Sequence, residues 1–368
     1  MSKTVLLTAG GTGGHLFPAQ ALASELLRRG WTVELATDER ADKYGSAFPA
    51  RNVHIIASQT IRARNPLALA RTGFSLLRGT LQARSVIKTL KPDIVVGFGG
   101  YPTFPPMYAA RLTGTPSILH EANGVMGRAN KLLARGVTAI ASSVPLSGLP
   151  AELGQKLVET GNPVRDAVLN AAELPYSPPR PGGEFKLLVF GGSQGARYFS
   201  DLVPPAVELL DGDIRSRLRI VQQCRPEDME RVQKVYDGLG VAAECAPFFQ
   251  DMPQRIAQAH LVVCRSGASS VSELSVLGRP SILVPLPGAI DQDQAANAQV
   301  LEKAGGAWPI RQADLTPDRL AGEIAQFMNA PDRLAEAAGH ARSVAKPDAV
   351  KRLADLVEKV ARKQGERP

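Results

Sequence analysis

The sequence predicts an α/β protein built from two Rossmann-like units with parallel sheets. Three observations carry that expectation. A short apolar run, Thr4 to Ala9, ends in the glycine turn GGTGGH and passes into a helical pattern through Ala19, Leu22, Leu26 and Leu27, the strand, turn and helix order of a nucleotide-binding βα unit. The same order returns at Lys186 to Phe190, followed by GGSQGAR and a second helical pattern through Leu202, Val207 and Leu210. The two copies start about 180 residues apart in a chain of 368, which is long enough for two domains.

The remaining elements follow in order. Further buried strands are expected at Trp31 to Ala36, Ile94 to Gly97, Ser117 to Leu119, Ala139 to Ser142, Arg219 to Gln222, Leu261 to Cys264 and Ser281 to Val284. These short runs are rich in apolar residues, as strands covered by helices on both faces must be. The motif GNPVR at 161–165 and the Pro- and Gly-rich stretch PYSPPRPGG at 175–183 mark a connector. The expected division is therefore an N-terminal unit over residues 1–163, a C-terminal unit over 164–345 and a terminal helix over 346–368. That helix carries Val350, Leu353, Leu356, Val357 and Val360 on one stripe, which must be buried and is expected to pack back on the N-terminal unit.

Composition narrows the class. With 44% hydrophobic and 21% charged residues the chain is neither disordered nor fibrous. The three cysteines, Cys224, Cys245 and Cys264, form no close pair in sequence, which argues against a disulfide framework or a zinc cage and favours a reducing cytoplasm. The apolar run at the N-terminus is too short for a signal peptide, and no window of roughly 18 apolar residues could cross a bilayer, so any membrane contact is expected to be peripheral.

The net charge of +8 is unevenly spread. Residues 43–151 hold thirteen Lys and Arg (Lys43, Arg51, Arg62, Arg64, Arg71, Arg78, Arg84, Lys88, Lys91, Arg111, Arg128, Lys131 and Arg135) against Asp93 and Glu121. A basic face of this kind seeks an anionic partner. Within it, Leu67, Ala70, Phe74, Leu77 and Leu81 recur at three- and four-residue intervals behind Pro66. Such a helix either lays an apolar ridge on an anionic membrane or buries an ordinary core stripe under a solvated basic back.

Three glycine clusters stand where backbone must approach a phosphate or turn tightly: Gly10, Gly11, Gly13 and Gly14; Gly97, Gly99 and Gly100; Gly191, Gly192 and Gly195. A dinucleotide site would want an acid about 20 residues past the first cluster, and Asp38 and Glu39 leave that reading open. His15, however, sits at the start of the first helix, where the helix dipole favours the neutral imidazole that a general base requires. In the C-terminal half, RSGASSVSE at 265–273 offers small residues at a helix start for a diphosphate and Glu273 for ribose hydroxyls. In VPLPGAIDQDQAANA at 284–298, Asp291, Gln292, Asp293, Gln294 and Asn297 crowd the turn after a strand, as sugar hydroxyls require.

Taken together, GGTGGHLFPA, GFGGYPTFP, LHEANGVMGRANK, GNPVR, FGGSQGAR, CRSGASSVSE and DQDQAANAQVLEKAGGA occur in an order and at distances that closely resemble the MurG family. The resemblance runs from residue 3 to about residue 345. It implies a GT-B fold, two Rossmann-like domains facing across a cleft, and inverting transfer of N-acetylglucosamine from UDP-GlcNAc to lipid I, the undecaprenyl-diphosphate-linked muramoyl-pentapeptide. The product is the β-1,4-linked lipid II of peptidoglycan synthesis. It also implies a peripheral position on the cytoplasmic face of the membrane and association with other cell-wall synthesis and division proteins.

Carried over by resemblance, His15 is the catalytic residue. Thr12, Gly13, Gly14, Gly99, Gly100, Tyr101 and Asn123 serve the polyprenyl-diphosphate acceptor, with Asn123 also near the donor sugar. Arg165, Ser193 and Gln194 lie near UDP, Phe249 at the uracil, Ala268 and Ser269 at the diphosphate turn and Glu273 at the ribose. Asp293, Gln294 and Asn297 face the GlcNAc hydroxyls. The chain departs from better-known members in having Ala122 and Asp293 where Gln is familiar, Phe249 where an aliphatic stands and Ser269 where Leu stands.

The α-linked donor gives a β product by one in-line displacement, which needs a base on the acceptor hydroxyl and stabilisation of the departing diphosphate. No Asp-x-Asp motif precedes a suitable strand, so neither a metal nor a cofactor is called for, and backbone N–H groups at helix starts, helped by Arg165, take the leaving charge. A glycolipid galactosyltransferase or a UDP-GlcNAc 2-epimerase would share these loops and be told apart by its products. A nucleic-acid-binding protein would share the basic half, but the cations here are not interleaved with stacking aromatics and aromatic content is 5%, so no nucleic-acid partner is expected.

Overall fold

The computed structural model describes residues 2–39, 48–58, 66–146, 149–192, 197–288 and 293–365. The chain divides into two compact units, Met1–Arg165 with Pro347–Pro368, and Asp166–Lys346. In the first, β1 (Thr4–Thr8), β2 (Thr32–Thr37), β3 (Asn52–Ile55), β4 (Ile94–Gly97), β5 (Ser117–Glu121), β6 (Ala139–Ser142) and β7 (Leu157–Glu159) form one sheet in the order β3-β2-β1-β4-β5-β6-β7. The second carries β8 (Phe185–Phe190), β9 (Leu218–Gln223), β10 (Ala242–Ala246), β11 (Leu261–Cys264), β12 (Ser281–Leu283) and β13 (Ala307–Pro309) in the order β10-β9-β8-β11-β12-β13. Every pairing is parallel. These are two Rossmann-like sheets, and the nine strands expected from sequence occur with ends shifted by no more than two residues.

Four strands escaped the sequence reading: β3, β7, β10 and β13. All four are sheet edges. A central strand is covered on both faces and must be apolar at every position, whereas an edge strand is partly wet and need not be. Val53 and Ile55 of β3 are 48% and 46% exposed, while β4 and β11 are buried throughout.

Each sheet reverses its winding once, between β1 and β4 and between β8 and β11. At such a switch point the loops leaving two neighbouring strands diverge to opposite faces and open a crevice at the strands' carboxyl ends. The glycine turns after β1, β4 and β8 and the RSGASS turn after β11 all sit there.

One face of the first sheet is covered by the helix Gly13–Arg28, which buries Leu16, Ala19, Leu22, Ala23 and Leu26 on Val5, Leu7, Val33 and Val96. The final helix, Ala349–Gly365, joins the same cluster through Leu353, Ala354, Leu356, Val357 and Val360. It is held at the rim by Arg29, whose guanidinium reaches Asp355 at 2.6 Å and Glu25 at 2.9 Å. Asp355 is mostly exposed, so that ion pair is worth little beside the buried apolar stripe. Leu353→Ala should therefore destabilise the first unit by about 2 to 5 kcal/mol, seen as a lowered urea midpoint with unchanged m-value, and Arg29→Ala by much less.

Candidate active site

In the first unit the chain leaves β1 through Ala9, Gly10 and Gly11 and enters its helix after Thr12, whose extended backbone caps the first turn. His15 lies one turn in, half-buried. Its Nδ1 is 3.0 Å from Thr12 Oγ1. The loop after β4 closes over the ring: Gly10 N donates to Gly99 O at 3.3 Å, and Gly99 and Gly100 both adopt positive φ, 87° and 80°. A Cβ on Gly99 would stand 3.4 Å from His15 Cδ2 and Nε2, and one on Gly100 would stand 3.4 Å from Cε1 and Nδ1. The left-handed backbone angle at Gly99 is what favours glycine there, and the His15 ring packs in contact beside it. Tyr101, half-buried, opens the short turn Tyr101–Thr103, and Thr103 Oγ1 donates to Gly99 O at 2.7 Å, which fixes the loop.

In the same unit a buried carboxylate organises the loop after β5. Glu121 accepts from the backbone N–H of Asn123 (3.0 Å) and Gly127 (2.9 Å) and from the side-chain amides of Asn123 (3.2 Å) and Asn130 (2.7 Å). Burial pushes its pKa up, and the four donors pull it down again without cancelling the rise. Asn130 also points at the Gly99 loop, its Nδ2 lying 3.6 Å from where a Gly99 Cβ would be. His120 is buried beside Phe98, with ring centroids 5.2 Å apart, and burial lowers its pKa to about 4. Arg165 lays its guanidinium over the Phe17 ring at 3.9 Å.

In the second unit, Gly267 caps the helix Ala268–Leu277 with extended backbone, so the first-turn N–H groups of Ala268, Ser269 and Ser270 open toward the switch point. Glu273 lies in the same helix, largely buried. Three segments are tied together beside it. Ser266 Oγ donates to Gln294 O (2.8 Å), Asn297 Nδ2 donates to Ser266 O (3.3 Å), and Leu286 N donates to Gln294 Oε1 (3.0 Å). Asp293 starts the helix Asp293–Ala304 and accepts from Gln294 N at 2.9 Å. Arg265, also buried, is spent on protein: it reaches Val284 O, Pro285 O and Gln312 Oε1 at 3.1, 3.3 and 2.6 Å. Phe249 is buried beneath the Arg255 guanidinium, 4.3 Å from its centroid.

The ionisable ring beside glycine backbone at the first unit's switch point, and the helix start of small residues with a carboxylate in the same helix at the second unit's, are each chemistry that suits a phosphorylated sugar. The comparisons with known proteins agree. The chain matches the N-terminal domain of glycosyltransferase family 28 over residues 5–142 and the C-terminal domain of that family over 186–353. It is 58% identical over 360 residues to the UDP-N-acetylglucosamine--N-acetylmuramyl-(pentapeptide) pyrophosphoryl-undecaprenol N-acetylglucosamine transferase of Chelativorans sp., covering 98% of this chain and 96% of that one. The chain belongs to glycosyltransferase family 28.

A crystal structure of Acinetobacter baumannii MurG superposes with a TM-score of 0.75 at 31% identity, covering 97% of this chain and 99% of that one. The structure of a putative UDP-N-acetylglucosamine 2-epimerase from Listeria monocytogenes gives 0.71 at 16% identity over 100% and 99% of the two chains, a likeness of fold alone. As a family 28 glycosyltransferase, the chain brings Thr12, Gly13, His15, Gly99 and Gly100 together at the first switch point, with Gly14 exposed on the helix start and Asn123 held by Glu121. Ala268, Ser269, Glu273, Asp293, Gln294 and Asn297 gather at the second. Ser193, Gln194, Gly195, Asp291 and Gln292 lie outside the described residues, as do Lys43, Arg62 and Arg64. Among the described residues no three His, Cys, Asp or Glu side chains gather as a metal site.

Sequence reasoning gave no role to His120, Glu121, Asn130 or Arg265, though a histidine and a glutamate ending an apolar strand were a legible signal. His120 carries a pH dependence whose sign is fixed. Its unfolded pKa is near 6.5 and its folded value about 4, so below pH 6.5 the unfolded chain binds a proton that the folded chain refuses. Stability of the first unit should therefore fall from pH 6.5 toward pH 4, by up to about 3 kcal/mol from this group. Urea titrations across that range should show a flatter slope for His120→Gln than for the parent chain, whatever the two stabilities at pH 8.

Proposed function

We propose that this chain transfers N-acetylglucosamine from UDP-GlcNAc to the muramoyl-pentapeptide carried on undecaprenyl diphosphate, with inversion at the anomeric carbon, forming the β-1,4 bond. The observation that carries the reading is His15, an ionisable ring roofed by Gly99 and Gly100 at a switch point, in a chain whose full-length relatives are named for this transfer. In the reactive tautomer Nδ1–H donates to Thr12 Oγ1, which leaves the Nε2 lone pair for the acceptor hydroxyl. The hydroxyl gives its proton to Nε2 as its oxygen attacks C1, and the bond from C1 to the diphosphate oxygen breaks on the opposite face.

The departing charge goes to the N–H groups at Ala268, Ser269 and Ser270, with Arg165 assisting. This scheme needs no metal and no cofactor. The acceptor diphosphate rests on Thr12, Gly13 and Gly14 and on the Gly99, Gly100 and Tyr101 loop, with Asn123 between acceptor and donor sugar. Ser193 and Gln194 meet UDP, Phe249 borders the uracil, and Glu273 accepts from the ribose hydroxyls. Asp293 and the Gln294 amide nitrogen meet the sugar, while Asn297, committed to Ser266 O, acts by holding that turn.

His15→Ala should lower kcat by about 10² to 10⁴ with UDP affinity nearly unchanged, because a positioned base is worth that much. Glu273→Ala should do the reverse, raising the KM for UDP-GlcNAc and weakening UDP itself. Steady-state kinetics with a soluble lipid I analogue and calorimetry with UDP distinguish the two. Normal turnover in His15→Ala would reassign the base.

The acceptor's polyprenyl tail requires a membrane face, and the helix Pro66–Leu90 provides it. No helix among the described residues is long and apolar enough to cross a membrane. That helix buries Thr72, Gly79, Thr80, Ala83 and Ile87, while Phe74, Leu77 and Leu81 are 69%, 59% and 57% exposed beside exposed Arg71, Arg78 and Arg84. The ridge therefore faces outward, which favours lipid over the core-stripe alternative. Each cation at an anionic leaflet contributes about 1 kcal/mol. Cosedimentation with anionic vesicles should weaken with added salt and disappear on charge reversal at Arg71, Arg78 and Arg84, while UDP binding persists. The same surface needs no nucleic-acid partner. Residence on the cytoplasmic face of the membrane beside other cell-wall synthesis and division proteins follows from the same substrate.

A further inference from the structure

Two cysteines separated by 21 positions in sequence are brought to one face of the second sheet. Cys224 directly follows β9 and Cys245 lies on β10, its neighbour. Gln222 pairs with Cys245, and Cys224 N donates to Ala246 O at 3.0 Å. Because side chains alternate along a strand, Cys224, two residues beyond Gln222, shares the face of Cys245. Both sulfurs pack on one apolar cluster with Val232 and Tyr236. Neither is in a disulfide, and they differ in access, Cys224 being 1% exposed and Cys245 half-buried.

The residue between strand and thiol gives this pair a consequence. Gln223 accepts from Gly191 N at 3.2 Å through Oε1 and donates to Pro247 O at 3.1 Å through Nε2. Its one carboxamide pins the start of the glycine turn after β8 to the segment that continues to Phe249. Cys224 is bonded to Gln223 on one side, and Cys245 stands two residues before Pro247 on the other.

We propose that Cys224 and Cys245 are a reversible oxidation site for a small peroxide, and that closing their disulfide loosens the hold of Gln223 on Gly191, just after β8. The two thiols are neighbours that shift each other: Cys245 holds the Cys224 thiol below the usual range, and Cys224 pushes that of Cys245 well above it. The pair therefore loses its first proton as a unit. The remaining proton passes to Cys224 as the accessible Cys245 sulfur attacks one peroxide oxygen. The O–O bond breaks, hydroxide leaves and collects a proton as water, and Cys245 becomes a sulfenic acid. The Cys224 sulfur then attacks the Cys245 sulfur, the S–O bond breaks, the Cys224 proton leaves with hydroxide as a second water, and the S–S bond forms. Two electrons have moved from the thiols to the peroxide. Gln222, and not Cys224, is the register partner of Cys245, so the two Cα atoms stand diagonally across the strands, and drawing the sulfurs to about 2.05 Å pulls on the ends of β9 and β10 and on the Gln223 carboxamide between them.

The effect on substrate rests on the donor reading above, so the test reads the thiols and the turn separately from UDP. The full-length protein is treated with hydrogen peroxide and then with dithiothreitol. The expected result is a mass loss of about 2 Da, a non-reduced peptide map joining Cys224 to Cys245, and several-fold faster amide exchange at Gly191, with Cys264 still alkylatable after unfolding. UDP affinity should fall several-fold, and dithiothreitol should reverse every change. Cys245→Ser should bind UDP as the parent does and lose the response. Thiols that both remain alkylatable after peroxide, or a Cys224–Cys245 disulfide that leaves exchange at Gly191 unchanged, would overturn the proposal, and either can be read on the parent chain alone. A reduced protein that does not bind UDP would instead sink the donor reading, with mass and exchange still deciding the thiol pair.

Discussion

The reversal of winding direction in each sheet is the constraint on which the rest of the molecule depends. A parallel strand returns to its sheet through a right-handed crossover, so strands added to the left and to the right of β1 send their helices to opposite faces. Only between β1 and β4, and between β8 and β11, do neighbouring loops part instead of stacking. The loops that part in the first unit are nevertheless stitched at their roots, by Phe98 N to Thr8 O at 2.8 Å and by Gly10 N to Gly99 O at 3.3 Å. The His15 ring packs between these loops, in contact distance of Gly10, Gly99 and Gly100.

Burying a carboxylate is costly unless its oxygens are filled. Glu121 has four donors within 3.2 Å, two from backbone and two from asparagines, and hydrogen bonds to a charged group are each worth about 1.5 to 3 kcal/mol. The carboxylate thereby sets the path of the loop from Asn123 to Gly127 and the direction of Asn130, which stands against the Gly99 turn. The second unit solves the same problem with neutral groups. Ser266, Gln294 and Asn297 exchange side-chain and backbone hydrogen bonds between the loops after β11 and β12, and the Arg265 charge is absorbed by carbonyls and by the rings of Tyr198 and Phe199, each 5.2 Å away.

What could be read from sequence follows the same physics. Central strands such as Ile94 to Gly97 were legible because two-sided burial leaves only apolar residues, and the glycine turns were legible because left-handed backbone, as at Gly99, Gly100 and Gly192, selects glycine. The edge strands, with Val53, Ile55 and Val158 in partial contact with water, carried no such signature. His15 was legible because an ionisable residue stood directly after a glycine turn. Glu121 and Asn130 were not given roles, because their partnership depends on a loop path that no local pattern encodes. Cys224 and Cys245 looked unrelated for a like reason: they meet only once β9 and β10, the latter an edge strand missed in sequence, are known to be neighbours.

The basic helix shows how a single small residue can orient a whole face. Gly79 lies so close to the preceding segment that a Cβ there would fall 2.0 Å from Ala57 O and 3.2 Å from Pro105 Cγ. No rotation that put a larger side chain at that point would let the helix seat, so the Thr72, Gly79, Ala83 and Ile87 side is fixed inward. Phe74, Leu77 and Leu81 stand roughly half a turn away and are thereby fixed outward, with Arg71, Arg78 and Arg84 flanking them. A hydrophobic ridge in an amphipathic pattern normally marks the buried side of a helix. Here the N-terminal part of the buried side is lined with Thr72, Gly79 and Thr80, which approach neighbouring segments closely, and bulk returns only further on, at Ile87. Phe74, Leu77 and Leu81 are left on the surface because the seat at Gly79 admits no side chain in their place.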